Sequence, residues 1–251
     1  MARLTSEEHI GMTNKNFFGT EMRIVDYING QKVLIEFQDE YKYQKYIDMS
    51  NFRKGVAANP YDKTVLNIGC IGDGAYSKEK NRECYVRWHN ILVRCFDLKY
   101  KEKYPTYKDV CVVNEWLNFQ NFAKWYYDNV YSIPNERMEI DKDILFKNNK
   151  IYSPDKCIFV PRRINSLLIN NKSIRGKYPV GVDMHRNKFR ARCNTLNGNI
   201  FIGHYNTVES AFKAYKKFKE NYIKEVADEY KEKIPDILYQ ALYRFEIEVN
   251  D

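Results

Sequence analysis

The spacing of apolar residues switches repeatedly along this chain, and that switching constrains the fold more than any single motif. Strand-like runs, where alternate side chains face opposite sides, fall at 22–28, 32–37, 41–47, 180–184, 188–194 and 199–205. Helical spacing falls in three other places. Tyr85, Trp88, Ile91, Leu92, Cys95 and Phe96 form one stripe over 84–98. Trp116, Phe119, Phe122, Ala123, Tyr126 and Tyr127 form a second over 114–130. Val208, Ala211, Phe212, Tyr215, Phe218, Tyr222 and Val226 form a third that runs to about Tyr230. Strands and helices in separate blocks predict an α+β fold in three parts. These are a small β module over 1–75, a region of aromatic helices and a ββα hairpin over 76–170, and a three-stranded sheet with a long helix over 177–251.

The turn residues agree with this division. Asn29-Gly30 and Asn197-Gly198 predict tight hairpin turns, because both residue types tolerate the left-handed backbone such turns need. Thr207 stands where a hydroxyl caps the last helix. Gly69, Gly72 and Gly74 mark turns; no Lys-Ser or Lys-Thr follows them, so a phosphate loop is excluded. The polar run 171–176 reads as a linker.

The chain has 251 residues, 44% of them hydrophobic, enough to bury a core in two or three small domains. Its net charge of +8 favours an acidic polymer as partner, since each cation placed at a phosphate releases a counterion. No apolar run approaches the about 20 residues that cross a bilayer, and residues 1–10 lack a signal-peptide core. The expectation is a cytoplasmic protein with no membrane partner and no small-molecule cofactor. None of the six cysteines forms a CxxC pair, which predicts free thiols; the alternative is a zinc site where Cys95, Cys111 and Cys157 meet.

The segment 137–170 carries the chemistry. A strand-like run at 138–146 contains Asp141, Lys142 and Asp143, a turn follows at 147–150, and a second strand is expected at 157–160. Pro161 then opens a helix containing Asn165. Hydrolysis of a phosphodiester with one metal needs an ion at the phosphate, an activated oxygen nucleophile and donors for the developing charge. A carboxylate and an amide oxygen are hard ligands suited to Mg²⁺. A hairpin followed by a helix brings a residue of the first strand, here Asp141, toward one near the helix start, here Asn165. Many αβ segments meet that spacing, so the spacing alone is not specific. Asp143 has two roles open to it: strand alternation makes it a second ligand or base-positioning carboxylate, and its place near a turn makes it a cap or ion-pair partner.

These residues resemble a known family. Ile140, Asp141, Lys142, Asp143 and Ile144, then Asn149, Lys150, Ile151, Tyr152, Ser153 and Pro154, then Cys157 and Asn165, resemble the ββα-metal segment of phage HNH homing-type endonucleases. The helix from Trp88 to Cys95, and Glu115, Trp116 and Leu117 with Phe119 and Phe122, are also similar to these proteins. Gly181, Val182, Phe189, Arg190, Ala191, Gly203 and the stretch from Ala211 to Tyr215 resemble the plant ethylene-response-factor DNA-binding domain, which is often fused to HNH nucleases. The resemblance spans roughly 84–230. It implies a DNA endonuclease dependent on Mg²⁺ or Mn²⁺ and acting on double-stranded DNA. Asp141 and Asn165 would be the metal ligands, and Lys142 and Asp143 would occupy catalytic positions.

Two departures bear on activity. Lys142 stands where the family places a His as general base, and a Lys keeps its proton at neutral pH unless its surroundings lower its pKa. Lys142 is then expected as a phosphate or transition-state contact. Lys156 stands where the family has the Asn that orients that base, and none of His9, His89, His185 and His204 lies in the motif. Either the site works on Asp141, Asn165 and a metal-activated water, or it has decayed and left a non-catalytic DNA-binding protein. A third class is a phage structural or host-interaction module whose basic surface is incidental.

DNA reading is expected from the C-terminal sheet. Phe189, Ala191 and Cys193 face one side of their strand, and Lys188, Arg190 and Arg192 face the other. Arg190 and Arg192 would address base edges, Lys188 would hold phosphate, and Arg186 with His185 would add contacts from the preceding turn. Arg94, on a polar helix face with Arg87 and Asn90, is either solvated or set beside a phosphate. Lys213, Lys216, Lys217 and Lys224 are expected to be solubilising charge.

Overall fold

The computed structural model describes residues 5–168 and 177–249; the stretch 171–176 expected as a linker lies outside the described residues. The chain is mixed α and β and divides into two compact units, Met1–Asp128 and Asn129–Asp251. Among the described residues no helix is long and apolar enough to cross a membrane.

The first unit opens with a short helix, α1 (Ser6–His9), and an antiparallel meander in the order β1 (Thr13–Lys15), β2 (Glu21–Asn29), β3 (Lys32–Phe37), β4 (Gln44–Ile47). Alternation works here as expected. Met22, Ile24, Val33, Ile35 and Phe37 are buried on one face, and α2 (Met49–Lys54) closes it with Met49 and Phe52. The hairpin turn is offset by one from the expected Asn29-Gly30. Asn29 still pairs with Lys32, and its carboxamide oxygen accepts the Gln31 N–H at 2.9 Å, so Gly30 and Gln31 make the corner.

In α3 (Arg82–Phe96) the buried residues are Cys84, Trp88, Ile91, Leu92 and Cys95, and the Trp88 indole donates to the Trp116 carbonyl at 2.6 Å. After α4 (Leu98–Lys103) and β5 (Cys111–Val112), the second expected helix proves to be two pieces. A 3-10 turn covers Asn114–Leu117, and α5 covers Phe119–Asn129. Asn118 between them is extended, with φ −96° and ψ 123°, and its side chain accepts the Gln120 N–H at 2.9 Å. A side-chain cap there replaces the helical bond and restarts the helix.

The second unit contains β6 (Met138–Asp141), β7 (Ile151–Tyr152), β8 (Ile158–Pro161), α6 (Arg162–Leu168), β9 (Val182–His185), β10 (Lys188–Thr195), β11 (Gly198–Tyr205), α7 (Val208–Tyr230) and α8 (Asp236–Tyr243). β6 pairs antiparallel with β8, and β11, β10 and β9 form a three-stranded sheet in that order. Val160, Ile164 and Leu167 from β8 and α6 lie in one apolar cluster with Ala191, Cys193, Ala211 and Ile223. Thr207 caps α7 through the Ser210 N–H at 3.1 Å. Gly181 has φ +76°, and a Cβ there would lie 2.1 Å from the Tyr215 ring, so only glycine lets the sheet sit this close to α7. α8 was not expected from the sequence; its Leu238 and Leu242 are buried in the same cluster.

Of the α7 lysines, Lys216 is not free surface charge. It donates to the Ile247 carbonyl and pairs with Glu220, at 2.8 and 2.9 Å. Lys219 is buried outright, with its ammonium 3.4 Å from the Asn194 carbonyl. The described cysteines are free thiols, all buried except Cys111.

Candidate functional site

The strand expected over 138–146 ends at Asp141. The cause is the Asp141 side chain itself: its Oδ1 accepts the N–H groups of Asp143 and Ile144, both at 2.7 Å. Those donors are turned inward and no longer offered to a neighbouring strand. Burial raises the Asp141 pKa above the usual carboxylate value, against the opposing pull of these two N–H bonds.

Lys142 folds beneath the turn and is buried. Its ammonium donates to Asp143 Oδ2 at 2.6 Å and to the Asn149 carbonyl at 3.0 Å, and sits 5.8 Å from the centre of the Tyr152 ring. Asn149 returns bonds from its amide to the carbonyls of Lys142 and Ile151, at 2.8 and 2.7 Å. Asp143 is half exposed, and of its two expected roles the ion pair is the one present. Beside this turn, burial pushes the Cys157 thiol up to about 12.

Asn165 lies on α6, where its Nδ2 donates to Glu139 Oε2 at 2.8 Å. Glu139 also has Arg162 and Arg137 beside it, at 3.9 and 4.0 Å, both with well-exposed guanidinium groups. Glu139 was not anticipated, although a signal for it existed: it stands two residues before Asp141, and alternation along β6 puts both carboxylates on one face. The structure therefore joins Asn165 to the Asp141 strand face through Glu139. Among the described residues no group of three or more His, Cys, Asp or Glu gathers as a metal cage.

On the C-terminal sheet, Lys188, Arg190 and Arg192 lie opposite buried Ala191 and Cys193, as expected. Asp183, which pairs in register with Arg190, was not anticipated. Arg190 meets it with two parallel bonds of 2.9 Å, and Arg192 reaches it at 2.8 Å. The Arg190 guanidinium holds the Asp183 carboxyl below the usual carboxylate range. Arg186 and Asn187 form the two-residue corner, both with positive φ (48° and 61°), which is the backbone that fixes this register. The face continues onto β11 with Phe201 opposite Arg192 and His204 opposite Arg190; His185 stacks on His204 at 5.4 Å. Arg94, in the first unit, lies over the Tyr107 ring at 5.6 Å.

No family model matches the chain, no curated protein matches it, and no solved structure matches it.

Proposed function

We propose that this chain binds double-stranded DNA and hydrolyses a phosphodiester bond at its β6–β8–α6 unit, as the HNH homing-type resemblance implies. The observation that carries the proposal is the geometry of that unit. β6 pairs with β8, β8 runs directly into α6, and Asn165 of the helix bonds Glu139 on the strand that ends in Asp141. The donor set, a carboxylate and an amide oxygen, is hard and suits Mg²⁺ or Mn²⁺. Asp141 and Asn165 would hold the ion, and Glu139 would fix the Asn165 amide by its nitrogen so that its oxygen is left to bind. The bound ion would supply positive charge at the phosphate and lower the pKa of a water.

The remaining residues have separable roles. Lys142 donates to Asp143 and to the Asn149 carbonyl, so its role is to order the turn. Asp143, half exposed and paired to Lys142, is the accessible carboxylate of the turn. Arg137 and Arg162 are exposed beside Glu139 and suit the flanking phosphates. The β9–β11 face would lie in a groove, with Asp183 presenting Arg190 and Arg192 in fixed planes and Lys188 and Arg186 on the backbone.

A second proposal, a non-catalytic DNA-binding protein on a decayed HNH centre, is favoured by the buried cation at the usual base position. Nicking of supercoiled plasmid in Mg²⁺, abolished by chelator, supports the enzyme; intact plasmid with tight duplex binding supports the second. Duplex affinity that is insensitive to salt would contradict both, since phosphate contacts make affinity fall steeply with salt.

A further inference from the structure

The first unit holds a feature that neither the metal site nor the sheet face uses. Phe17 and Phe18 form the tip of the β1–β2 hairpin and are 79% and 62% exposed, Phe17 being the most exposed large apolar side chain among the described residues. Scattered exposed apolar residues are ordinary on protein surfaces. These two are neighbours on a tip that is rigidly built. Asn16, itself buried, accepts the N–H groups of Phe18 and Thr20 on its side-chain Oδ1, both at 3.0 Å. Its amide nitrogen donates to Asp62 Oδ2 at 2.7 Å and to the Ala57 carbonyl at 3.3 Å. Thr20 adds a bond to the other Asp62 oxygen at 2.5 Å. The rings are therefore held out in water on a braced turn, with little ordering left to lose on binding.

Cations flank the tip. Lys15 ends β1, and the basic last turn of α2, Arg53 and Lys54, is locked against it. Asn14 donates to the carbonyls of Phe52 and Arg53 at 2.7 and 3.1 Å. Gly55 ends α2 with φ +70°, and a Cβ there would lie 2.5 Å from the Lys15 carbonyl, so the two segments touch backbone to backbone. Lys15, Arg53, Lys54 and Lys63 are all exposed. Of the neighbouring acids, Asp62 is buried and bonded by Asn16 and Thr20, while Glu21 is exposed opposite Lys15.

The geometry points to a DNA wedge: Phe17 and Phe18 insert at a base step of duplex DNA while Lys15, Arg53 and Lys54 hold the neighbouring phosphates. Convex apolar wedges rimmed by cations open base steps and kink the duplex, and the flat carbon faces of the two rings match the faces of the bases. The inference rests on the DNA-binding proposal above and extends it to a unit for which that proposal has no role.

The test uses the full chain and a short random-sequence duplex with a FRET pair at its ends. Wild type is expected to shorten the end-to-end distance on binding. Phe17→Ala with Phe18→Ala, both on exposed positions, is expected to keep the circular dichroism spectrum, lose the shortening and weaken binding by about tenfold or more, with the salt slope unchanged. Lys15→Ala with Lys54→Ala is expected to lower the salt slope by about two instead. A double Phe variant that binds and bends the duplex like wild type overturns the wedge and leaves the DNA-binding proposal standing. Binding of wild type to phosphatidylserine vesicles that depends on both Phe residues, with unchanged duplex bending in the variant, overturns it in favour of a membrane surface. A wild-type chain that does not bind duplex at all overturns both.

Discussion

Asp183 receives two parallel hydrogen bonds from Arg190, each 2.9 Å long, across the β9–β10 pair. The guanidinium plane is thus fixed within the sheet itself, and Arg192 is drawn to the same carboxylate at 2.8 Å. Asp183→Ala is expected to free both side chains and remove a negative charge. Binding to random duplex should tighten while the preference for a selected site falls. Competition binding at two salt concentrations checks this; unchanged discrimination would mean that Asp183 only braces the sheet. The same pair sets a pH dependence. Because the folded Asp183 pKa lies below its ordinary value, its contribution to stability is present at neutral pH and is lost as pH falls through that lowered pKa.

Arg190→Ala combined with Arg192→Ala should cost roughly a hundredfold or more in specific affinity if each makes a bidentate base contact. If both hold only phosphates, specific and non-specific affinity fall together and the salt slope drops by about two. Titration of a selected and a random duplex separates the outcomes.

Asp141 has a structural duty in its turn and a proposed duty as a metal ligand, which two substitutions divide. Asp141→Asn keeps an oxygen for the N–H groups of Asp143 and Ile144, whereas Asp141→Ala leaves both without it and should cost about 1–3 kcal/mol. The raised pKa of the folded carboxyl means that wild-type stability falls as pH rises from the ordinary carboxylate range to that raised value, then levels. Asp141→Asn should remove this slope. Urea melts across the acid range would show it.

Lys219 is buried in α7, and desolvation lowers its pKa. A lysine whose folded pKa is lowered penalises the fold while charged, and the penalty fades as pH rises through that pKa toward the ordinary value. Lys219→Met is therefore expected to raise the melting temperature at neutral pH, and the advantage should shrink at alkaline pH. An equal or lower melting temperature at neutral pH would show that the bond to the Asn194 carbonyl outweighs desolvation.

Periodic features were legible in the sequence, and features made by side chains turning back on the backbone were not. The α7 stripe, its Thr207 cap and the in-out alternation of β10 follow from spacing alone. The end of β6 does not, because Asp141 reads as one more polar residue in an alternating run until its carboxylate is seen capping the turn. Asn118 hides the break before α5 in the same way. Glu139 was within reach through its two-residue spacing from Asp141. Asp183 was not, since its pairing with Arg190 depends on the register imposed by the Arg186-Asn187 corner. Lys219 sits at helical spacing between Tyr215 and Ile223, but charge disguised a core position.

Plasmid nicking by Asp141→Asn beside wild type in Mg²⁺ is the decisive measurement, with duplex affinity measured on the same samples. Wild type should convert supercoiled plasmid to nicked or linear product. The Asn variant, its turn intact, should bind duplex within a few fold of wild type and leave the plasmid supercoiled. A variant that cuts at the wild-type rate would contradict the assignment of Asp141 and, with it, a hydrolytic centre in the β6–β8–α6 unit.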